Sequence, residues 1–205
     1  MRIAIDGPAA AGKTTLARSL AERLGYLFVP TGAMYRAAAL ARQRGIPLEA
    51  TEISVGRGGR VLLCGEDVTD VLSRPELDDL SSQVAVDSRV RRRLVEIQRS
   101  IAESGCVVME GRDIGTVVLP DAELKIYLWA TEEERARRRH EEQGGEFETI
   151  LAGIRRRDER DSTRPDSPLR EASDAVVVDT TGKEPPDVLR SLLSLVAERR
   201  AHSSC

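Results

Sequence analysis

Residues 7–14 read Gly-Pro-Ala-Ala-Ala-Gly-Lys-Thr, matching G-x-x-x-x-G-K-[ST] between an apolar run at residues 3–5 and a leucine repeat at positions 16, 20 and 24. A strand, a glycine-bent turn and a helix in that order form a phosphate cradle, because backbone N–H groups at a helix N-terminus converge on an anion. The whole stretch of Gly7, Pro8, Ala9, Ala10, Ala11, Gly12, Lys13, Thr14 and Thr15 is expected to hold the phosphates of ATP. Lys13 is expected to bridge the β- and γ-phosphates, and the Thr14 hydroxyl to reach Mg²⁺. Three of the 31 basic residues are lysines, so a lysine at this position in an arginine-rich chain supports the reading. Lys13 is expected on an exposed loop with little packing role.

Further β-rich apolar runs lie at residues 26–29, 106–109, 124–128 and 175–178, each the length of a buried strand. Between them the leucine repeat stops at Gly25, and Val90, Leu94, Ile97 and Ile101 repeat at helical spacing and stop at Gly105, as helices with glycine C-caps do. Thr131 and Glu134 form a capping-box pattern opening another helix. This alternation predicts an α/β fold of the P-loop NTPase kind: a doubly wound parallel five-stranded sheet with a ligand crevice at the strand C-termini. Two stretches interrupt it. Residues 46–85 are irregular, with a glycine-rich turn at 56–59 and a strand-like run at 61–63, and read as a small inserted subdomain. Residues 144–166 are polar and arginine-dense, entered by two glycines and left by prolines, which is the composition of a hinged lid. One domain over residues 1–205 accommodates both.

A P-loop leaves the acceptor open, and composition narrows it. The formal net charge of −3 gives no overall field for a polyanion, and six aromatic residues are too few for a base-stacking platform, so no nucleic-acid partner is expected. Cys64, Cys106 and Cys205, with His140 and His202, have no metal-ligand spacing, and a reducing cytoplasm suits them. The start of the chain lacks a signal-type apolar region and no apolar run approaches 18 residues, so neither secretion nor a membrane partner is expected. The absence of asparagine removes the Asn-Lys-x-Asp guanine reader of regulatory GTPases, and the short chain favours a small monomeric kinase.

Four motifs carry the acceptor side: TGAMYR at 31–36, SQVA at 82–85, EGRDIGTVV at 110–118 and RDERDSTR at 157–164. Thr31, Tyr35 and Arg36 would project near the strand C-termini, where Arg36 can grip a phosphate in bidentate fashion; Arg112 and Asp113 would share that crevice. Arg157, Arg160 and Arg164 are spaced to share one helical face, while about half of the other helical arginines have glutamates nearby to pair with. Together with the P-loop, these motifs resemble the bacterial cytidylate kinase family over essentially the whole chain. The resemblance implies a nucleoside-monophosphate pocket made by Thr31, Arg36, Ser82, Arg112, Arg157, Asp161 and Arg164, with Ser82, Arg112 and Arg164 facing the base and Asp161 the sugar hydroxyls. Tyr35 and Asp113 complete the expected CMP-binding set; Lys13, Arg157 and Arg160 are the expected catalytic cations, and Thr14 the expected metal ligand.

The implied reaction is phosphorylation of CMP, and of dCMP, by ATP with Mg²⁺. A monophosphate acceptor is already anionic, so no general base is required. Two positions depart from the family pattern: Pro30 stands where relatives usually carry an aspartate, and Trp129 where some carry an acidic residue; a structural role is expected for the tryptophan. Another small acceptor on the same scaffold, such as UMP, shikimate or dephospho-coenzyme A, and a nucleotide-dependent switch remain as alternatives from sequence.

Overall fold

The computed structural model describes residues 1–74 and 76–203; Cys205 and the imidazole of His202 lie outside the described part. The strands of the main sheet are β1 (Arg2–Asp6), β2 (Leu27–Pro30), β6 (Val107–Gly111), β7 (Leu124–Trp129) and β8 (Val176–Asp179), and β3 (Ile53–Val55), β4 (Val61–Leu63) and β5 (Glu66–Asp67) make a second, small one. The helices are α1 (Lys13–Leu24), α2 (Thr31–Gln43), α3 (Glu76–Val84), α4 (Ser88–Glu103), α5 (Glu132–Gln143), α6 (Phe147–Thr163) and α7 (Pro185–Ser203).

The main sheet runs β2-β6-β1-β7-β8 with every pairing parallel, and β3-β4-β5 is antiparallel. Parallel order follows from the helical crossovers and requires both faces to be covered. On one face α1 and α7 bury Leu16, Leu20, Leu192 and Val196 against Ile3, Ile5 and Leu128. On the other, α2, α3 and α4 bury Met34, Leu77 and Leu94 against Ala4, Met109 and Ile114. Each leucine or isoleucine so buried contributes roughly 1.5–3 kcal/mol.

Strand edges differ from the sequence expectation by a residue or two, most usefully at β6. That strand extends to Gly111 and carries the buried Glu110 to the C-terminal edge, opposite Pro30 in register. Pro30 is tolerated there because β2 is an edge strand and the proline is also the N-cap of α2. Residues 46–85 contain the small sheet, whose β4 coincides with the strand-like run at 61–63, and α3, which the irregular pattern did not suggest. Residues 144–166 are mostly helix: α5 and α6 are joined through Gly144 and Gly145, both at positive φ. The capping box at α5 is half formed. The Thr131 hydroxyl accepts the Glu134 N–H at 3.2 Å, but the Glu134 carboxylate pairs forward with Arg137 and Arg138.

Candidate active site

The P-loop turn depends on Gly7, where a Cβ would lie 2.1 Å from the Leu128 carbonyl oxygen and φ is +150°. It also carries Ala10 at φ 58°, a left-handed conformation uncommon for a residue with a side chain. Ala9, Ala10, Gly12, Lys13, Thr14 and Thr15 line a cleft at the end of β1. Gly7, Pro8 and Ala11, expected among the ATP contacts, do not line it: Gly7 is packed on Leu128, Ala11 is fully buried, and Pro8 faces a different groove. They shape the loop from behind.

Lys13 is buried, which overturns the expectation of an exposed loop lysine. Its Nζ donates to the Pro8 carbonyl at 2.6 Å, closing the loop on itself. Burial pushes its pKa well below the usual lysine range, the charges of Arg112 and Arg157 push it further, and Glu110 and Asp6 oppose them. The Thr14 hydroxyl donates to Glu110 Oε1 at 3.0 Å, and Thr31 Oγ1 donates to the Glu110 carbonyl at 2.7 Å. Glu110 thus joins the P-loop helix to the start of α2, and it supplies a carboxylate beside the position where Pro30 has none.

A second cleft adjoins the first. Of the expected acceptor residues, Thr31, Tyr35, Ser82, Arg112 and Asp113 line it from one side, and Arg157, Arg160, Asp161 and Arg164 from the other. Arg36 is the exception; it lines the P-loop cleft together with Arg138 and Arg139. Helix α6 carries Arg157 and Arg160 and ends at Thr163, so Arg164 acts as its C-cap and still reaches the same cleft. Gly32, Glu110, Arg112 and Arg157 line both clefts, which therefore open onto each other.

Arg112 and Asp113 form ion pairs with partners other than each other. Arg112 Nε donates to Asp161 Oδ2 at 2.8 Å, while Asp113 is bonded by Arg91 and lies 3.5 Å from Arg164 Nη2. Burial raises the Asp161 carboxyl, but Arg112, Arg157 and Arg164 outweigh it and hold the group below the usual carboxylate range. Burial lowers Arg164, and the neighbouring charge of Arg91 adds to this. The Tyr35 hydroxyl is pushed up to about 12 by burial against the opposing charge of Arg91, whose guanidinium lies 5.7 Å from its ring centre.

Four residues escaped sequence reasoning. Arg91 was hidden in the run Arg91-Arg92-Arg93, yet it alone of these is buried and lines the second cleft. Glu110 was quoted within its motif without a role. Asp6, buried at the end of β1, accepts the N–H groups of Ile114 and Gly115 at 2.8 and 2.7 Å and so fixes the loop that follows Arg112 and Asp113. Arg135 is buried against the back of the P-loop. The paired, solvated role expected for many helical arginines holds for Arg137 and Arg155. Trp129 is not buried structure: it is 41% exposed, in the groove with Pro8.

Beyond Gly12, Thr15 and Arg138 a further groove continues from the P-loop cleft, walled by Leu16, Thr180, Lys183, Pro185 and Val188. Two guanidinium nitrogens of Arg138 donate to the Thr180 carbonyl and hydroxyl at 2.5 and 3.1 Å, pinning that wall to α5.

A family profile described as cytidylate kinase matches residues 3–198. A cytidylate kinase of Carboxydothermus hydrogenoformans is 45% identical, the alignment covering 97% of this chain and 98% of that protein. One of Geobacillus kaustophilus is 47% identical, with 96% of each chain covered. Among solved structures, a gluconokinase from Sinorhizobium meliloti superposes with a TM-score of 0.56 at 16% identity, covering 100% of this chain and 97% of that one. A shikimate kinase from Bacteroides thetaiotaomicron does so with 0.53 at 14% identity, covering 96% and 98%. Those two likenesses concern the fold alone.

Proposed function

The chain belongs to the cytidylate kinase family, and on that premise we propose how its two clefts carry out the phosphorylation of CMP by ATP. The reaction transfers the terminal phosphoryl group of ATP to a phosphate oxygen of CMP, giving CDP and ADP. The observation that carries the assignment of roles is the meeting of a P-loop cleft and an arginine-lined cleft at Glu110, Arg112 and Arg157. A phosphoryl group held by the loop and an acceptor phosphate held by the arginines would face each other across that opening.

In this reading Lys13, Thr14, Thr15 and the amides of Ala9, Ala10 and Gly12 hold the ATP phosphates, and the groove beyond Gly12 takes the adenine. Thr31, Tyr35, Ser82, Arg91, Arg112, Asp113, Asp161 and Arg164 hold CMP or dCMP. Lys13, Arg157 and Arg160 are the catalytic cations. Phosphoryl transfer proceeds through a loose transition state with charge spread over equatorial oxygens, so cations positioned in a dry cleft supply most of the rate. Arg36 approaches the acceptor phosphate from the donor side. Residues 46–85 act as the acceptor-binding insert and 144–166 as the lid that excludes water.

Mg²⁺ fits the residues present. Among the described residues no cluster of three or more His, Cys, Asp or Glu side chains is placed to hold a metal, which accords with an ion that takes most of its ligands from substrate phosphates and water. Thr14 and the buried Glu110 carboxylate, already hydrogen-bonded to each other, would hold it from the protein side. When bound, it neutralises charge on the donor's phosphate oxygens.

A cytoplasmic monomer with small nucleotides as its partners completes the proposal. Exposed free thiols at Cys64 and Cys106 suit a reducing compartment, and among the described residues exposed large apolar side chains are confined to Val86, Trp129 and Val177. No helix among those residues is long and apolar enough to cross a membrane. The test is an acceptor panel of CMP, dCMP, UMP, shikimate and dephospho-coenzyme A with ATP and Mg²⁺, followed by ADP release. CMP and dCMP should give the largest kcat/KM; failure to form CDP would refute the reading.

A further inference from the structure

We infer that Arg135 is a positioning residue that makes the binding of the two nucleotides interdependent. Its guanidinium is almost wholly inaccessible, with 4% of the side chain exposed, and it touches three elements. Nε donates to the carbonyl of Ala130, the residue that follows β7, at 3.1 Å. Nη1 donates to the carbonyl of Ala9 in the P-loop at 3.1 Å and pairs with Asp158 Oδ2 on α6 at 2.6 Å.

The Ala9 contact acts on the phosphate cradle. A trans peptide unit is planar, with its C=O and N–H pointing in opposite directions. A donor that grips the Ala9 oxygen therefore also fixes the N–H of Ala10, directed away from the guanidinium. Arg135 lies with Pro8 on the groove behind the loop, whereas Ala9 and Ala10 line the donor cleft in front. Ala10 itself is held at φ 58°, and unfavourable backbone conformations persist only where neighbours hold them. Arg135, through the Ala9 carbonyl, is one of the neighbours that do so, together with Ala136, Leu151 and Ile154, against which Ala10 packs.

The Asp158 contact carries this to the acceptor. Asp158 lies on α6 directly after Arg157 and three residues before Asp161, which is bonded to Arg112. The charge of Asp158 also reaches Arg112 and favours its protonated form. Its Oδ1 is buried with no hydrogen-bond partner among the described residues, so the single strong contact of this carboxylate is with Arg135. Movement of α6 onto an acceptor nucleotide is thus transmitted through this ion pair, the polar link between α6 and the loop, to the peptide unit that receives the donor's phosphates.

The inference rests on the CMP kinase reading, and the test separates the two. Binding of a non-hydrolysable ATP analogue, adenylyl imidodiphosphate, is measured calorimetrically with and without saturating CMP. The wild-type protein should bind the analogue about fivefold or more tightly when CMP is present. Asp158→Asn should bring that factor close to one while leaving the analogue's Kd in the CMP-free protein within about twofold, a change that a purely structural residue would not produce. Arg135→Lys, which keeps the charge but cannot reach both carbonyls and the carboxylate, should weaken the analogue in the CMP-free protein by about tenfold or more while CMP affinity changes less than about threefold. Independent binding in the wild type, undiminished coupling in Asp158→Asn, or unaltered analogue binding in Arg135→Lys would each overturn the inference. Absence of any CMP binding would instead refute the acceptor assignment, and the Arg135→Lys arm would still judge this proposal. The wild-type coupling stands as a test even if Asp158→Asn does not fold.

Discussion

Gly111 offers the sharpest check on the geometry around the acceptor loop. It ends β6 opposite Asp6, and a Cβ added there would lie 2.6 Å from Thr31 Oγ1, 2.7 Å from Ile114 Cδ1 and 2.9 Å from Ile114 Cγ1. Its backbone angles are not in the left-handed region, so the effect of Gly111→Ala is steric alone. Neither neighbour can give way easily: Ile114 is 1% exposed, and Thr31 is buried with its hydroxyl on the Glu110 carbonyl at 2.7 Å. Overpacking of this kind costs about 1–3 kcal/mol. Loss of the threonine hydrogen bond adds about 1 kcal/mol. The expected destabilisation of about 2–4 kcal/mol lowers the urea midpoint by roughly 1 M for a slope of about 2–3 kcal/mol per molar. Because Arg112 and Asp113 follow directly, KM for CMP should rise by about tenfold while KM for ATP changes less. Ile114→Val removes the Cδ1 atom; alone it should cost about 1 kcal/mol, yet in the Gly111→Ala background its cost should fall below that, because it relieves one of the three close contacts and leaves those to Cγ1 and Thr31 Oγ1. A midpoint within about 0.2 M of wild type for Gly111→Ala, or strictly additive behaviour of the double variant, would refute this account of the packing.

The other outcomes can be measured on the same preparations. Lys13→Met should lower kcat by about 100-fold or more with little change in the melting temperature, because relief of the buried ammonium offsets loss of its hydrogen bond to the Pro8 carbonyl; turnover near the wild-type value would exclude Lys13 from the chemistry. Asp6 is pushed up to about 6 by burial, reinforced by Asp113 and opposed by the N–H groups of Gly115 and Ile114 and by Lys13. Since the folded value exceeds the unfolded one of 3.8, the folded state holds more protons. Stability relative to Asp6→Asn should therefore be highest below about pH 4 and fall by about 3 kcal/mol as pH rises through about 6. A difference in urea midpoint that stays flat across pH 4–7 counts against the burial of this carboxylate. Arg164→Ala should reduce kcat/KM for CMP by about tenfold or more and spare ATP affinity, as it contacts Asp113 and the Ser167 carbonyl and lines the acceptor cleft but not the P-loop cleft; an unchanged specificity constant would remove it from the acceptor site.

The P-loop cleft was legible because its signal is local, although Gly7, Pro8 and Ala11 stand behind it and Lys13 is buried rather than exposed. The residues from Gly7 to Thr14 adjoin in sequence, and the flanking apolar strand and leucine repeat leave one arrangement for the turn between them. The acceptor motifs were legible as segments, and most of their members meet in one cleft. Their pairings were not. Arg112 and Asp113 are neighbours in the chain, yet their carboxylate and guanidinium partners, Asp161 and Arg91, come from α6 and α4. Arg91 and Arg135 each lie in runs of similar arginines, and burial, which alone distinguishes them, depends on how α4 and α5 dock. The carboxylate opposite Pro30 belongs to Glu110 because β2 and β6 pair in that register, an alignment no local pattern reveals. Trp129 misled for the complementary reason: it is the last residue of an otherwise buried interior strand, and its position at the C-terminal end of that strand leaves it exposed.

These pairings also explain how a cleft so rich in cations can exist without its substrates. Arg112 and Arg157 disfavour the charge on Lys13, and Arg91 disfavours the charge on Arg164, so the protein alone holds mutually repelling groups in a partly dry space. Asp161, Asp113 and Glu110 offset part of that repulsion, each tied to a specific cation or hydroxyl. On the proposed assignment, phosphates entering either cleft would relieve what remains, and the relief would be shared, because Arg112 and Arg157 line both. Repulsion carried in the free protein is thus converted into attraction for the phosphates that the reaction brings together. The electrostatic route and the Arg135 contact act in the same direction and differ in reach. Charge on Arg112 and Arg157 acts across the space of both clefts, while the Arg135 contact acts only along the ion pair between α5 and α6 and the carbonyl it grips in the P-loop.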